Sequence, residues 1–213
     1  MITAILLSYK RQQNIPKIIE SLRSQTVPVE IWLINNLDCK SFGEDRSIHI
    51  PWNAGEWARY VFAPRAKTEY VMFQDDDWLI NDSHFVESAI NIHLGANHGM
   101  GMVGIGGREI FRTRPHYTDS KSIKSDGSTN FLWGHFQLFK CDDSKRVMVP
   151  SHPYASDIHW SLEMSKMGSH WVSSYLRERL VQLDEHGVGL SHRENHMEER
   201  EQACVDYFAR FRS

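Results

Sequence analysis

The sequence lacks the features that define several large classes of protein. Its 213 residues contain no apolar run near the 18 or so residues that a membrane-spanning helix needs. The first apolar run, Ala4–Leu7, is short and no basic segment precedes it, so we expect no signal peptide. Lys and Arg number 24 against 27 Asp and Glu, a net charge of −3, which argues against binding nucleic acid by neutralising phosphates. We therefore expect a soluble, cytoplasmic protein.

Motifs of several other functions are also missing. The cysteines Cys39, Cys141 and Cys204 are odd in number, widely spaced and never arranged as CxxC, so we expect reduced thiols rather than a zinc ribbon or a redox pair. No GxSxG segment supports a serine hydrolase. Gly99–Gly104 matches GxGxxG, but it follows a predicted helix and enters a predicted strand, the reverse of a dinucleotide site. We interpret it as a helix stop.

The pattern of apolar residues predicts an α/β fold. Unbroken apolar strands alternate with amphipathic helices, which is typical of a central, mostly parallel mixed sheet flanked by helices. No linker or repeat divides the chain, so we predict one domain over residues 1–213. The predicted strands are Ile2–Leu7, Val29–Ile34, Ser47–Ile50, Tyr70–Phe73, Met102–Ile105, one within Phe131–Lys140, and His170–Ser174. The predicted helices are one capped by Asn14, Ala54–Ala66, one from Asp82 or Ser83 to Leu94, Ser156–Met167 and Glu198–Arg210, and Arg112–Asn130 is a predicted loop.

Polar clusters follow three of the predicted strands. They are Ser8–Arg11, Asn35–Asn36 and Asp75–Asp77. Because parallel strands end at one edge of a sheet, where ligands bind in such folds, we expect the three clusters to lie together. Three adjacent carboxylates repel one another unless a cation compensates, and Mg²⁺ and Mn²⁺ prefer carboxylate oxygens. The alternative at this point is an acidic turn that caps the next helix.

Taken in order, these segments resemble the nucleotide-sugar glycosyltransferases of the GT-A (Rossmann-like) fold. The resemblance runs from Ile2 to about Ser191. The whole chain also resembles glycosyltransferases encoded by chlorella viruses, which implies glycan synthesis on a capsid protein. It implies a nucleotide-binding half, residues 1–105, and an acceptor-binding half, residues 106–213. The matching segments are Ser8–Arg11, Glu30–Asn36, Asn53–Gly55 with Ala58–Arg59, the DxD-like Glu69–Asp77, and Ala155–Asp157 with Gly168.

The resemblance also implies roles for individual residues. Mn²⁺ or Mg²⁺ would be held by Asp77, Asp75 and the late His186, with His192 in reserve. Asn35 or Asn36 would read a pyrimidine, which makes the donor a UDP-sugar and the acceptor a glycan or glycoprotein. Asp157 on the acceptor side and Asp76, facing the donor sugar or an arginine, would be catalytic; the alternative for Asp157 is a helix N-cap. The implied nucleotide-binding residues are Ser8, Tyr9, Arg11, Asn35, Asn36, Asn53, Arg59, Asp75 and Asp76.

Two stereochemical outcomes remain open. Family-2-like enzymes invert the anomeric centre and exostosin-like enzymes retain it; Ser156, in place of an acid before Asp157, favours retention. A sugar-phosphate nucleotidyltransferase is a competing function, but it needs a glycine-rich loop after the first strand, and Ser8–Gln13 contains no glycine. A non-catalytic carbohydrate-binding module is another, and it would be expected to have lost the acidic triplet.

Overall fold

A computed structural model describes residues 1–37, 40–96, 98–150, 155–184 and 194–210 of the chain. The strands are β1 (Ile2–Ser8), β2 (Val29–Asn36), β3 (Arg46–Ile50), β4 (Tyr70–Gln74), β5 (Trp78–Ile80), β6 (Met102–Gly104), β7 (Gly107–Glu109), β8 (Lys121–Ile123), β9 (Gly127–Thr129), β10 (Phe131–Leu132), β11 (Phe136–Lys140), β12 (His170–Val172) and β13 (Leu180–Gln182). The helices are α1 (Ile15–Arg23), α2 (Trp57–Phe62), α3 (Phe85–Ala96), α4 (Cys141–Ser144), α5 (Ser156–Met164), α6 (Ser174–Arg177) and α7 (His196–Ala209).

A central sheet of eight strands organises the fold, in the order β3-β2-β1-β4-β11-β6-β12-β9. Strands β3, β2, β1 and β4 pair in parallel, and β6 and β12 run in the same direction. Only β11 and β9 are antiparallel to their neighbours. The predicted α/β class with a mostly parallel mixed sheet is confirmed. The carboxyl ends of β1, β2 and β4 therefore lie at one edge.

Apolar side chains cover both faces of this sheet. On one face the amphipathic helix α1 buries Ile15, Ile18, Ile19 and Leu22 against β1 and β2. On the other face α2 and α5 pack Tyr60 and Trp160 around Phe73. Each such large side chain contributes roughly 1.5–3 kcal/mol on burial, so the sheet is a rigid base for the residues at its edge.

Two predicted boundaries were wrong for identifiable reasons. The helix predicted over Ala54–Ala66 is reduced to α2, because Gly55 takes a positive φ of 59° in a preceding turn and Pro64 lies in a short 3₁₀ turn that follows. The loop predicted over Arg112–Asn130 contains β8 and β9, whose polar side chains suit the sheet edges where these strands lie. Within the described residues, no helix combines the length and apolar character needed to cross a bilayer.

The GxGxxG segment behaves as a helix stop. Gly99 and Gly101 take positive φ values of 71° and 66°, and the chain then enters β6. A Cβ on Gly101 would lie 2.4 Å from the carbonyl oxygen of Ser169, so this position requires glycine for backbone packing rather than for a phosphate. The two described cysteines, Cys141 and Cys204, are buried free thiols.

Candidate active site

A cavity of about 480 Å³ opens at the carboxyl edge of the sheet. Strand ends from the first half of the chain and helices α5 and α7 from the second half supply its walls. This is the edge at which open α/β sheets bind ligands. The predicted site residues that line it are Tyr9, Arg11, Asn36, Asn53, Arg59, Asp75, Asp76, Asp77 and Asp157.

The structure does not bring Ser8 and Asn35 into this lining. Successive side chains of a strand point to opposite faces, so Asn35 and Asn36 cannot both face the cavity. The Asn35 amide donates to the Lys40 carbonyl and the Ser47 hydroxyl, both at 3.2 Å, and Ser8 is buried. The predicted metal ligand His186 and its reserve His192 lie outside the described residues.

The Asn36 side chain, in contrast, lies in the wall and supports its shape. Its amide donates to the Gly55 carbonyl, and its oxygen accepts from the Ala54 N–H, each at 3.4 Å. These bonds hold the turn that precedes α2. Asn36 is therefore both a cavity residue and an anchor for the segment that carries Arg59.

Two arginines pair with the acidic triplet. Arg11 donates to Asp76 at 2.7 Å and lies 3.2 Å from Asp77, while Arg59 donates to Asp75 at 2.7 Å. Burial opposes ionisation of Asp75, but Arg59 and His135 outweigh it and lower its pKa to about 2. Burial dominates at the other two: it raises the pKa of Asp76 to about 6, and with repulsion from Asp75 it raises the pKa of Asp77 to about 6.

The triplet fits a divalent cation in part. Oδ1 of Asp77 is buried and has no hydrogen-bond partner among the described residues, and Asp75 faces the same cavity. An orphaned carboxylate oxygen beside a second carboxylate is the donor chemistry that Mg²⁺ and Mn²⁺ prefer. No group of three candidate ligands is already assembled within the described ranges. Asp75 and Asp77 are thus two suitable ligands of an incomplete set.

The turn after β4 is also fixed from α1. Asn14, predicted to cap that helix, makes no capping bond with its side chain. Its amide instead donates to the carbonyls of Asp76, at 2.9 Å, and Asp184, at 3.1 Å. Asn14 thereby ties the acidic turn to the segment that follows β13.

Asp157 lies in the first turn of α5 and lines the same cavity as the triplet. Ala155 occupies the N-cap position, so the alternative interpretation of Asp157 as the cap was wrong. Arg200 of α7 donates to both of its oxygens, at 3.1 and 2.8 Å, and the Ile158 N–H donates to Oδ1 at 3.0 Å. Asp157 is therefore held as one half of a buried bidentate ion pair.

The sequence did not single out several other residues of the cavity, among them Glu56, His135 and Arg200. His135 lies 3.3 Å from Asp75; burial opposes its protonation, but the Asp75 carboxylate outweighs burial and raises the pKa of His135. Arg200 belongs to α7, whose many charged residues give it no distinguishing signal in the sequence. The sequence signal for His135 was the preceding glycine, Gly134, which the structure shows to be required because a Cβ there would lie 2.6 Å from the Arg59 guanidinium.

Aromatic rings form a further wall of the cavity. The Trp78 and His135 ring centroids are 5.6 Å apart, and those of Trp133 and His135 are 6.1 Å apart. All three residues are only partly buried and line the cavity. Broad apolar ring faces beside carboxylates and guanidinium groups suit a ligand that has both apolar and polar faces, as a sugar does.

The fold and this site define the class: the chain has the GT-A glycosyltransferase fold, as predicted. A mannosyltransferase, PcManGT from Pyrobaculum calidifontis, solved with GDP-Man and Mn²⁺, has a TM-score of 0.59 and 14% identity over 81% of this chain and 54% of that chain. Residues 1–349 of S. aureus TarS, solved with UDP-GlcNAc, also have a TM-score of 0.59, with 14% identity over 81% of this chain and 56% of that chain. The chain thus spans just over half the length of these solved chains. No family model matches the chain, and no curated protein matches its sequence.

Proposed function

We propose that this protein is a metal-dependent glycosyltransferase that moves a sugar from a UDP-sugar to a glycan or glycoprotein acceptor, with retention of configuration. One observation carries the proposal: on a GT-A sheet, the Asp75–Asp77 triplet shares a single cavity with Arg11, Arg59 and Asp157. The cavity therefore has anionic groups suited to a metal, cationic groups suited to phosphates, and a further carboxylate from the second half of the chain.

The donor half, residues 1–105, binds the nucleotide in this proposal. Asp75 and Asp77 hold Mn²⁺ or Mg²⁺, which when bound neutralises charge on the leaving diphosphate. Asn36 and Asn53 face the base and ribose, and Tyr9 and Arg11 lie beside the diphosphate. The solved neighbours carry different bases, GDP-Man in PcManGT and UDP-GlcNAc in TarS, so the choice of uracil is supported only by the Asn36 amide, which offers a hydrogen-bond donor and an acceptor to a pyrimidine edge.

The acceptor half, residues 106–213, contributes Asp157, Arg200, His135 and Trp133, and Trp78 of the donor half completes the aromatic wall. Both oxygens of Asp157 accept hydrogen bonds from Arg200, which fixes the carboxylate in one orientation. This supports the role that Asp157 would have in a retaining enzyme, orienting the acceptor, over the alternative in which Asp157 is the base of an inverting enzyme. A capsid glycoprotein as acceptor stays a prediction from the viral resemblance.

A donor screen tests the proposal. The full chain is incubated with UDP-glucose, UDP-galactose, UDP-GlcNAc or GDP-mannose, with Mn²⁺ and a panel of oligosaccharides and glycopeptides, and nucleotide release and product mass are measured. We expect glycoside formation from a UDP-sugar that stops when the metal is chelated. Pyrophosphate-dependent exchange without a glycoside would indicate a nucleotidyltransferase, and sugar binding without turnover would indicate a binding module.

A further inference from the structure

Glu56 touches both sides of the cavity. It lies in the turn between β3 and α2, is only 8% exposed, and lines the cavity wall. One of its oxygens, Oε1, accepts a hydrogen bond from the backbone N–H of Asp157 at 3.1 Å. The other, Oε2, accepts from the Arg59 guanidinium at 3.3 Å. These two partners are far apart in sequence and belong to opposite halves of the chain.

The bonds of Glu56 complete a continuous chain of contacts. Arg59 forms ion pairs with both Asp75 of the triplet and Glu56. Glu56 accepts the backbone N–H of Asp157 in the first turn of α5, and the Asp157 carboxylate forms an ion pair with Arg200 of α7. Every link is at most 3.3 Å long. Removing Glu56 would leave the Arg59–Asp75 and Asp157–Arg200 pairs intact but unconnected.

Glu56 accepts its hydrogen bond from the backbone of Asp157 and not from its side chain, and this difference determines the role of Glu56. A carboxylate oxygen satisfies one of the free N–H groups of a helix first turn and so fixes the position of that turn. The Asp157 carboxylate is held separately by Arg200. Glu56 therefore sets where Asp157 stands relative to Asp75, without contacting the reacting atoms itself.

We propose that Glu56 is a positioning residue that sets the distance between the acceptor-side Asp157 and the donor-side Asp75 through Arg59. The proposal rests on the proposed function, because it assigns the two carboxylates to acceptor and donor. Displacing a positioned group by about 1 Å is enough to slow an enzyme roughly 100-fold even when ligands still bind.

The electrostatic surroundings give Glu56 a distinctive signature. Burial and the Asp157 charge raise the pKa of Glu56 to about 7, although Arg59 and Arg200 oppose the shift. The charged or titratable groups facing it are Arg59 and Tyr60 from α2, Asp157 from α5 and Arg200 from α7, with Asp75 behind Arg59. A change of Glu56 protonation near neutral pH alters its hold on Arg59, so the rate should reflect it.

Three variants test the proposal. Glu56→Ala removes both bonds; Glu56→Gln keeps the shape and one carbonyl oxygen but no charge. Asp45→Asn is the matched control, because Asp45 likewise accepts from an arginine, Arg23, and from a backbone N–H, that of Ile31, away from the cavity. The measurements are UDP affinity with Mn²⁺ by calorimetry, hydrogen exchange of the Asp157 amide, and turnover against pH with the best donor of the screen.

We expect Glu56→Ala to lower kcat about 100-fold while leaving the UDP affinity and the donor KM near their wild-type values. Amide exchange at the first turn of α5 should speed up in Glu56→Ala and less in Glu56→Gln. The wild-type kcat profile should bend near pH 7, and Glu56→Gln should lack this inflection. Asp45→Asn should match the wild type in kcat, in UDP affinity and in exchange at α5.

Other outcomes would overturn the proposal. They are wild-type kcat in Glu56→Gln with an unchanged pH profile, a loss confined to UDP affinity, or a kcat loss that Asp45→Asn shares. Should Glu56→Ala fail to fold, the isosteric Glu56→Gln decides by its pH profile and exchange. A wild-type protein that transfers no sugar refutes the proposed function alone, since Asp157 exchange in Glu56→Gln still reports the positioning contact.

Discussion

Arg11 is shared between two neighbouring carboxylates: its Nη1 lies 2.7 Å from Oδ1 of Asp76 and 3.2 Å from Oδ2 of Asp77. The other oxygen of Asp77 has no partner among the described residues. Asp76 is thus committed to Arg11 and to the backbone N–H of Tyr9, at 3.1 Å. Asp77 retains free binding capacity, which makes it the carboxylate of the triplet best suited to a cation.

Asp77→Asn tests that assignment. The substitution keeps the size of the side chain and removes the charge, so we expect activity to fall by about 100-fold or more, equivalent to a few kcal/mol of leaving-group stabilisation. Mn²⁺-dependent UDP affinity, measured by calorimetry, should fall as well. Full activity in the variant would reduce the triplet to an acidic turn.

The pH dependence of stability follows from the raised pKa values. Because folding raises the pKa of Asp77 from 3.8 to about 6, the native state holds its proton more tightly, and the free energy of unfolding falls as pH rises through that interval. We expect Asp77→Asn to melt like the wild type at pH 4 and above it at pH 7.5, without ligand.

Asp45→Asn provides a control of opposite sign. The hydrogen bond from Arg23 lowers the pKa of Asp45. The ionised Asp45 therefore adds to the free energy of unfolding above its unfolded pKa, and this stabilisation is lost as pH falls through its folded pKa. This variant should melt below the wild type at pH 7.5, with a difference that shrinks in acid. The same direction of change in both variants would contradict the assigned pKa shifts.

The Asn pair offers a comparison between neighbours in sequence. Asn36 lines the cavity and Asn35 does not, so Asn36→Ala should weaken UDP binding about tenfold, the value of roughly one good hydrogen bond. Asn35→Ala should leave UDP binding unchanged and lower the melting temperature, because it removes the partly buried hydrogen bonds to Lys40 and Ser47. UDP should bind more tightly than GDP in calorimetry; equal affinities would refute base recognition by Asn36.

The sequence predicted the elements that depend on local pattern. Apolar runs located β1, β2 and β4, and parallel pairing then placed the polar clusters at one edge, where Arg11 and the triplet meet. It did not decide which of Asn35 and Asn36 faces the cavity, because a shift of one residue along a strand reverses the side chain. Glu56 and Arg200 carry no local signal, since their partner Asp157 is brought to them only by the tertiary fold.

Arg177 is a cavity arginine without a carboxylate partner among the described residues; its guanidinium donates only to the Ile105 carbonyl, at 3.4 Å. Because the diphosphate is the anionic part of the proposed donor, we expect Arg177→Gln to weaken UDP binding about tenfold, within the range for charged hydrogen bonds. The control is Arg179→Gln, which breaks a pair with Asp82 outside the cavity lining and should leave the affinity unchanged. Wild-type affinity in Arg177→Gln would exclude contact with the diphosphate.

The stereochemical outcome depends on how Asp157 acts. An inverting enzyme needs a base that takes the acceptor proton opposite the leaving group, and loss of such a base costs up to about 10⁴-fold in rate. Asp157 is held by Arg200 at 2.8 Å and 3.1 Å, which suits orientation of the acceptor, and a departing phosphate can take the proton on its own face.

We therefore expect proton NMR of the fresh product to give the anomeric coupling of the donor, and Asp157→Ala to retain more activity than loss of a general base allows. Arg200→Lys, which keeps the charge but not the bidentate geometry, should reproduce part of the Asp157→Ala defect. A product of opposite configuration, together with a loss near 10⁴-fold in Asp157→Ala, would instead establish Asp157 as the base of an inverting enzyme.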